Sequence, residues 1–306
     1  MRTRLVLSFL GILLLAVAPL AAQQRVSTNA PRLRAPAPAQ HHSLWLVEGR
    51  RNTVYLLGSV HALTPQDYPL PVIMERAFTN SAIVAFEADV EAVQSLGTLQ
   101  ELMTKARLPE GQTLREQLSP ATYELLKHHL EDARLPAFMF EPLKPGVAAF
   151  ALMAVELQKS GLEMEYGLDK HFSSLARDLH KQVEFFETLD FQLGLITDLS
   201  KDEGEQFVKI SLSEISKMKK EIAELLQAWR TGDADKLEKL LNDDSRQAPA
   251  IFKRLIADRN LRWLPKIEQW LQGDRNVMVI VGAGHLVGKD GVVELLRKKG
   301  WRVRQL

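Results

Sequence analysis

Two histidines stand in matching surroundings at opposite ends of a 306-residue chain. Val54-Tyr55-Leu56-Leu57 runs into Gly58-Ser59-Val60-His61, and Met278-Val279-Ile280-Val281 runs into Gly282-Ala283-Gly284-His285. Each is an apolar run of strand length followed by Gly-x-x-His. In an open α/β sheet, ligands bind beyond the carboxyl ends of the strands. Two neutral imidazoles converging there make a natural pair of metal ligands. Two glutamates sit in equivalent places: Glu87 ends the run Ala82–Phe86, and Glu187 ends the run Gln182–Phe186. A carboxylate so placed binds a cation or carries a proton, although a glutamate there also suits the first turn of a following helix. His61, Glu87, Glu187 and His285 together end four expected strands, and that constellation is more specific than any one of its members.

The elements needed to position them are legible as periodicity. Leu44–Val47 and Thr53–Gly58 read as strands joined by a hairpin turn at Arg50-Arg51-Asn52. Pro71–Phe78 is a short helix and Ala82–Phe86 a buried strand. Helices are expected over Val93–Ala106, Pro120–Ala133, Gly146–Ser160, Leu168–Leu179, Phe191–Leu199, Glu203–Arg230, Ala234–Leu241 and Gln247–Gln272, where apolar residues recur every three or four positions. The strand Gln182–Phe186 interrupts them, and the chain closes with strand Asn276–Val281, helix Gly291–Lys299 and strand Trp301–Gln305. The expected fold is α/β: a mixed sheet built from two related β-Gly-x-x-His-α-β halves, with a long helical insertion between them.

Composition narrows the function classes. Hydrophobic residues make up 46% of the chain and the net charge is +1, so neither a disordered chain nor a nucleic-acid partner is indicated. With no cysteine, disulfides, thiol nucleophiles and thiolate zinc sites are excluded. Arg2 and Arg4 precede Leu5–Gln24, 20 residues without a charge, and Pro19-Leu20-Ala21-Ala22 supplies the small residues of a cleavage site. Residues 1–22 therefore read as a cleaved secretory signal, and 23–42, with Pro31, Pro36 and Pro38, as a disordered linker. Residues 43–306 form the domain. Its expected location is the periplasm or the exterior, with no integral membrane segment after cleavage.

Other motifs are weaker. His128-His129 lies on a polar helix, where adjacent residues do not share a face. Gly282-Ala283-Gly284 lacks the third glycine of a dinucleotide loop at the right distance. Ser59 is too close to His61 along a strand for a nucleophile–base pair, and no aspartate stands near that histidine in sequence to orient it.

At these residues the chain resembles the TraB/GumN family, which includes the Tiki-type metalloproteases. The two Gly-x-x-His segments, Phe86-Glu87, Gly167-Leu168-Asp169, Phe186-Glu187-Thr188 with Gln192, and Arg259-Asn260 with Trp263 match the order of that family's motifs. The chain departs from it at Pro145-Gly146, where the family often has Pro-Trp. The resemblance implies a divalent-metal hydrolase acting on a peptide or protein, with Mn²⁺ or Co²⁺ favoured and Zn²⁺ the further candidate. On that basis His61, His285 and Glu87 are the expected metal ligands, and Glu187, or Glu87 if it is not a ligand, the general base. Arg259 is expected to steady an oxyanion and Asn260 to orient a ligand or a substrate carbonyl. The alternatives are a periplasmic haem- or metal-binding protein without turnover, and a partner-binding protein with an inactive site.

Overall fold

A computed structural model describes residues 41–89, 92, 95–241 and 248–306, with only the backbone of 218–220. The expected signal segment and the expected linker as far as residue 40 lie outside the described residues, as do Val93 and Gln247, the expected starts of two helices. None of the described helices is long and apolar enough to cross a membrane.

The chain begins with a hairpin of β1 (Leu44–Glu48) and β2 (Thr53–Ser59), closed where Gly49 N donates to Asn52 O. Then come α1 (Val72–Asn80) and β3 (Ile83–Phe86). The helical middle comprises α2 (Leu96–Ala106), α3 (Leu114–Gln117), α4 (Pro120–Asp132), α5 (Pro145–Lys159) and α6 (Leu168–Asp178). The strand β4 (Gln182–Phe185) precedes α7 (Leu189–Thr197), the 30-residue α8 (Lys201–Arg230) and α9 (Ala234–Leu241). Next are α10 (Pro249–Phe252) and α11 (Asp258–Leu271), and finally β5 (Val277–Gly282), α12 (Val292–Lys298) and β6 (Val303–Gln305). Helix starts carry their own signals: Ser200 caps α8 in a reciprocal box with Glu203, and the Thr188 hydroxyl caps α7.

The six strands form one mixed sheet in the order β4-β3-β5-β2-β1-β6. The strands β4, β3, β5 and β2 are mutually parallel, and β1 runs antiparallel to both β2 and β6. Every residue of β5 is buried, as expected of an apolar parallel strand covered on both faces. Its pairing with β2 puts Ser59 opposite Gly282, so two motifs separated by 224 positions in sequence begin side by side. The same sheet aligns Phe86 of β3 with Ile280 of β5 and with Phe185 of β4. All four strand ends that carry the candidate residues therefore point the same way.

The helical layer packs closely on this frame. The departure at Gly146 has a local reason: a Cβ there would lie 2.3 Å from the Ile196 carbonyl oxygen, so α5 meets α7 at a distance that only glycine allows. The expected helix over Gln247–Gln272 differs in detail. Its described part is interrupted by a π-type turn over Lys253–Ala257 between α10 and α11. Such a turn inserts a residue, rotates the helix beyond it and often marks functional positions. Here it lies immediately before Arg259 and Asn260.

Candidate functional site

The four strand ends deliver a buried polar cluster, and one guanidinium stands at its centre. Arg259 is 1% exposed and projects from the first turn of α11. Its Nη2 donates to Glu87 Oε2 at 2.5 Å and to Glu187 Oε2 at 2.7 Å, and its Nε donates to Glu187 Oε1 at 2.9 Å. Its Nη1 donates to the Leu255 carbonyl at 3.1 Å and meets His285 Nε2 at 2.8 Å. Two carboxylates and one imidazole thus converge on a single cation.

The surrounding bonds fix the protonation states. His285 Nδ1 lies 2.7 Å from Asn260 Oδ1, while Asn260 Nδ2 donates to the carbonyls of His285 and Asp290. Because the amide nitrogen is occupied as a donor, Nδ1 must carry the hydrogen and Nε2 the lone pair, which accepts from Arg259. Burial, and then the neighbouring guanidinium, push His285 down to about 3. Burial, the largest single influence, would raise Glu87, but Arg259, the two histidines and the Gly282 N–H, 2.8 Å from Oε1, together hold it down at about 2.

His61 is held differently. Burial lowers its pKa, but the Asp169 carboxylate, 2.6 Å from Nδ1, outweighs it and raises the value above the ordinary range. Ser59 Oγ donates to the other oxygen of Asp169 at 3.1 Å. Asp169 reaches this place because α6 starts directly against the motif. Leu168 N donates to the Val60 carbonyl, and Gly167 lies so close that a Cβ would be 2.2 Å from the His61 carbonyl oxygen. An aspartate does orient His61, from 108 residues away, which corrects the expectation drawn from the neighbouring sequence. Among the described residues no protein group bonds His61 Nε2.

The two glutamates are not equivalent. Glu187 accepts from Arg259 Nε and Nη2, from Trp263 Nε1 at 2.9 Å and from Gln192 Nε2 at 2.9 Å, which fills its lone pairs. Among the described residues Glu87 Oε1 accepts only the Gly282 amide; it lies 3.9 Å from His285 Nε2 and so keeps a lone pair on the histidine side. Trp263 closes one wall, with its ring centre 4.5 Å from that of His285 and 4.8 Å from the Arg259 guanidinium carbon.

The structure thus brings Glu87, Glu187, Arg259, Asn260 and His285 into one bonded network. It places His61 beside them, close enough for its charge to be felt by His285. It also adds Asp169, Gln192 and Trp263, which spacing alone does not single out. Their signal lies in the segments Gly167-Leu168-Asp169, Glu187-Thr188…Gln192 and Arg259-Asn260…Trp263 that carry the resemblance.

Acid stability depends on this cluster. His285 is neutral in the folded chain down to about pH 3, whereas in the unfolded chain it protonates near 6.5. The stability tied to a neutral His285 is complete above pH 6.5 and is lost progressively as pH falls towards 3. The expected slope is up to about 1.4 kcal/mol per pH unit. Glu87 adds loss of the same sign only below about 4.5. His61, raised, contributes stability that is complete below 6.5 and disappears only as pH rises, so it does not act in this window. Urea unfolding between pH 6.5 and 4.5 therefore shows a steeper acid loss for the wild type than for His285→Gln; equal slopes contradict the assignment.

A mixed α/β sheet with a polar cluster beyond the carboxyl ends of its parallel strands is the framework of a ligand-binding or catalytic protein. The chain belongs to the TraB/PrgY/gumN family, whose model matches residues 43–305. It is 25% identical to the uncharacterized protein YbaP of Escherichia coli K12, over 79% of this chain and 87% of that protein. It is 22% identical to the metalloprotease TIKI1 of Danio rerio over 89% of this chain and 64% of that protein, and 23% identical to the human TIKI1 over 85% and 61%. No solved structure matches.

Proposed function

We propose that this chain is an exported, divalent-metal-dependent hydrolase of the peptidase type, with His61 and His285 as its imidazole ligands. One observation carries the reading: the strand-end side chains Glu87, Glu187 and His285 converge on a single positive charge. Among the described residues no three His, Asp or Glu side chains gather as a metal cluster. The guanidinium of Arg259 occupies the common focus of Glu87, Glu187 and His285 and stands in for a bound cation.

The donors fit a metal by their chemistry. Each imidazole has its Nδ1 committed to an anchoring oxygen, Asp169 for His61 and Asn260 for His285, so Nε2 would be the ligating atom. Among the described residues it is open in His61, while in His285 the Arg259 guanidinium would have to give it up. Glu87 Oε1 has the open lone pair for a third bond. A divalent ion bound here would lower the pKa of a water and polarise a carbonyl. We assign to Glu87 Oε1 the work of completing the ligand set or taking the proton of the attacking water. Glu187 holds Arg259, and Asn260 and Asp169 keep the two rings in their working tautomers. Asp169→Asn is then expected to weaken Mn²⁺ or Co²⁺ binding about 10–100-fold, as loss of an outer-sphere partner does; unchanged affinity by titration calorimetry argues against His61 as a ligand.

A second reading has its own observation. The His61–Asp169 pair, with Nε2 open and the pKa raised, is also a general base able to take a proton from water directly, with Arg259 supplying the positive charge. Both readings place the chemistry on His61. They part on one test: hydrolysis that disappears on chelation and returns with Mn²⁺, Co²⁺ or Zn²⁺ supports the first, and hydrolysis indifferent to chelation supports the second.

A further inference from the structure

A cavity of about 30 Å³ lies directly beside the two histidine motifs. It is bounded by His61, by the backbone of 282–284, by Leu225 of α8 and by Leu237 and Leu241 of α9. Val60 and His61 are the part-exposed members of its lining and the others are buried. The cavity therefore opens on the His61 side and ends blindly on the leucines. Its lining is mostly apolar: the Ser59 hydroxyl is turned to Asp169 and the Gly282 amide to Glu87. A site of about 10–15 Å³ holds one water, so this one has room for a methyl-sized group but not for a leucine side chain.

The leucine wall is held from several sides. Trp229, near the end of α8, donates through Nε1 to the Gly58 carbonyl at 2.8 Å, and its own carbonyl accepts from Ser43 Oγ at 3.0 Å. Gln305 Nε2 donates to the Gly232 carbonyl in the turn from α8 to α9. Leu237 N donates to the Asp233 carbonyl, and Asp233 Oδ1 accepts from Lys236 N, which fixes the start of α9. Glu238, the next residue, packs so closely on Gly288 that a Cβ there would lie 2.8 Å from its Oε1. Both helices are thus pinned, to β2 and β6 and to the loop after the second motif. A close-packed wall of this kind admits an oversized group only at a cost in strain.

We propose that this cavity is the subsite for the residue that contributes the scissile carbonyl, and that Leu225, Leu237 and Leu241 restrict that residue to glycine or alanine. A peptide carbonyl brought to His61 at the mouth is two covalent bonds from the Cβ of its own residue. That side chain is therefore the group carried into the cavity. The proposal rests on the hydrolytic reading of the histidine site, for which it names the substrate class: a peptide with a small apolar residue at the cut.

The test compares N-acetyl-alanine methylamide with N-acetyl-leucine methylamide by ¹H–¹⁵N NMR on the purified chain without metal, following the Gly282 and Gly284 amides at millimolar ligand. The alanine ligand is expected to shift these signals and to bind at least about tenfold more tightly than the leucine ligand. Leu241→Ala and Leu225→Ala lie on separate helices, so one variant serves if the other does not fold. Each should admit the leucine ligand, and Leu241→Phe should exclude the alanine ligand. A mixed peptide library digested with Mn²⁺, Co²⁺ or Zn²⁺ present is read alongside by mass spectrometry. Gly and Ala are expected on the carbonyl side of the cut in the wild type, joined by Val and Leu in Leu241→Ala. Equal affinity of the two ligands for the wild type overturns the proposal, as does no shift with either, or an unchanged preference in the leucine variants. Discrimination between the ligands with no peptide cleaved under any of the three metals sinks the hydrolytic reading alone. Cleavage by the wild type with Leu as frequent as Ala on the carbonyl side sinks the subsite alone.

Discussion

Arg259→Met is expected to lower the unfolding free energy by about 3–5 kcal/mol, the cost of leaving a buried charge unpaired. The guanidinium makes bonds to Glu87, Glu187, His285 and the Leu255 carbonyl, so its loss strands two carboxylates side by side in the interior. The carboxylates must then take up protons, and the variant should be markedly more stable at pH 5 than at pH 8. Removing one of the two charges as well, in Arg259→Met with Glu187→Gln, should recover part of the loss. The same variant reports on the cation site. If Glu87 and His285 are metal ligands held in check by Arg259, added Mn²⁺ raises the Tm of Arg259→Met by more than that of the wild type, because binding to the folded state alone stabilises it. A Tm shift no larger than in the wild type means that the guanidinium does not occupy a metal position.

The second large effect is on activity. His61→Ala and His285→Ala should each reduce peptide hydrolysis by at least about 10²–10⁴-fold, the range expected when a proton-transferring or charge-stabilising group is removed. Their effects on stability should diverge. His61 lies at the margin of the cluster and its removal frees only Asp169, which keeps its bond from Ser59. His285 is fully buried, and its loss leaves Asn260 Oδ1 and Arg259 Nη1 short of partners, each worth about 1–3 kcal/mol. Equal loss of activity with unequal loss of stability is the expected signature. Retained activity in either variant removes that histidine from the mechanism.

Legibility in the sequence divides along the range of the interactions. The apolar runs into Gly58 and Gly282 announce two parallel strands, and the glutamates after Phe86 and Phe186 announce two more strand ends, because burial leaves a short-range periodic trace. The sheet order is a different matter: β5 inserts between β2 and β3, so the last motif lies beside the first only through a pairing that no local pattern encodes. Asp169 cannot be matched to His61 by spacing, since their contact depends on Gly167 letting α6 approach the His61 backbone. The π-type turn at Lys253–Ala257 has no compositional mark, yet it precedes the two residues that reach His285 and the glutamates. The partner expected for Arg259 is a substrate oxyanion. In the structure its bonds go to the site's own carboxylates and imidazole, a balance of buried charges that only the assembled cluster reveals.

The most direct test of the cation-site hydrolase is metal content and peptidase activity of the purified domain beside His61→Ala and His285→Ala. The expected result is stoichiometric Mn²⁺, Co²⁺ or Zn²⁺ and peptide cleavage in the wild type, with both lost in each variant. A wild type that neither retains nor responds to any of these metals, and that cleaves no peptide in their presence, contradicts the metal-hydrolase reading.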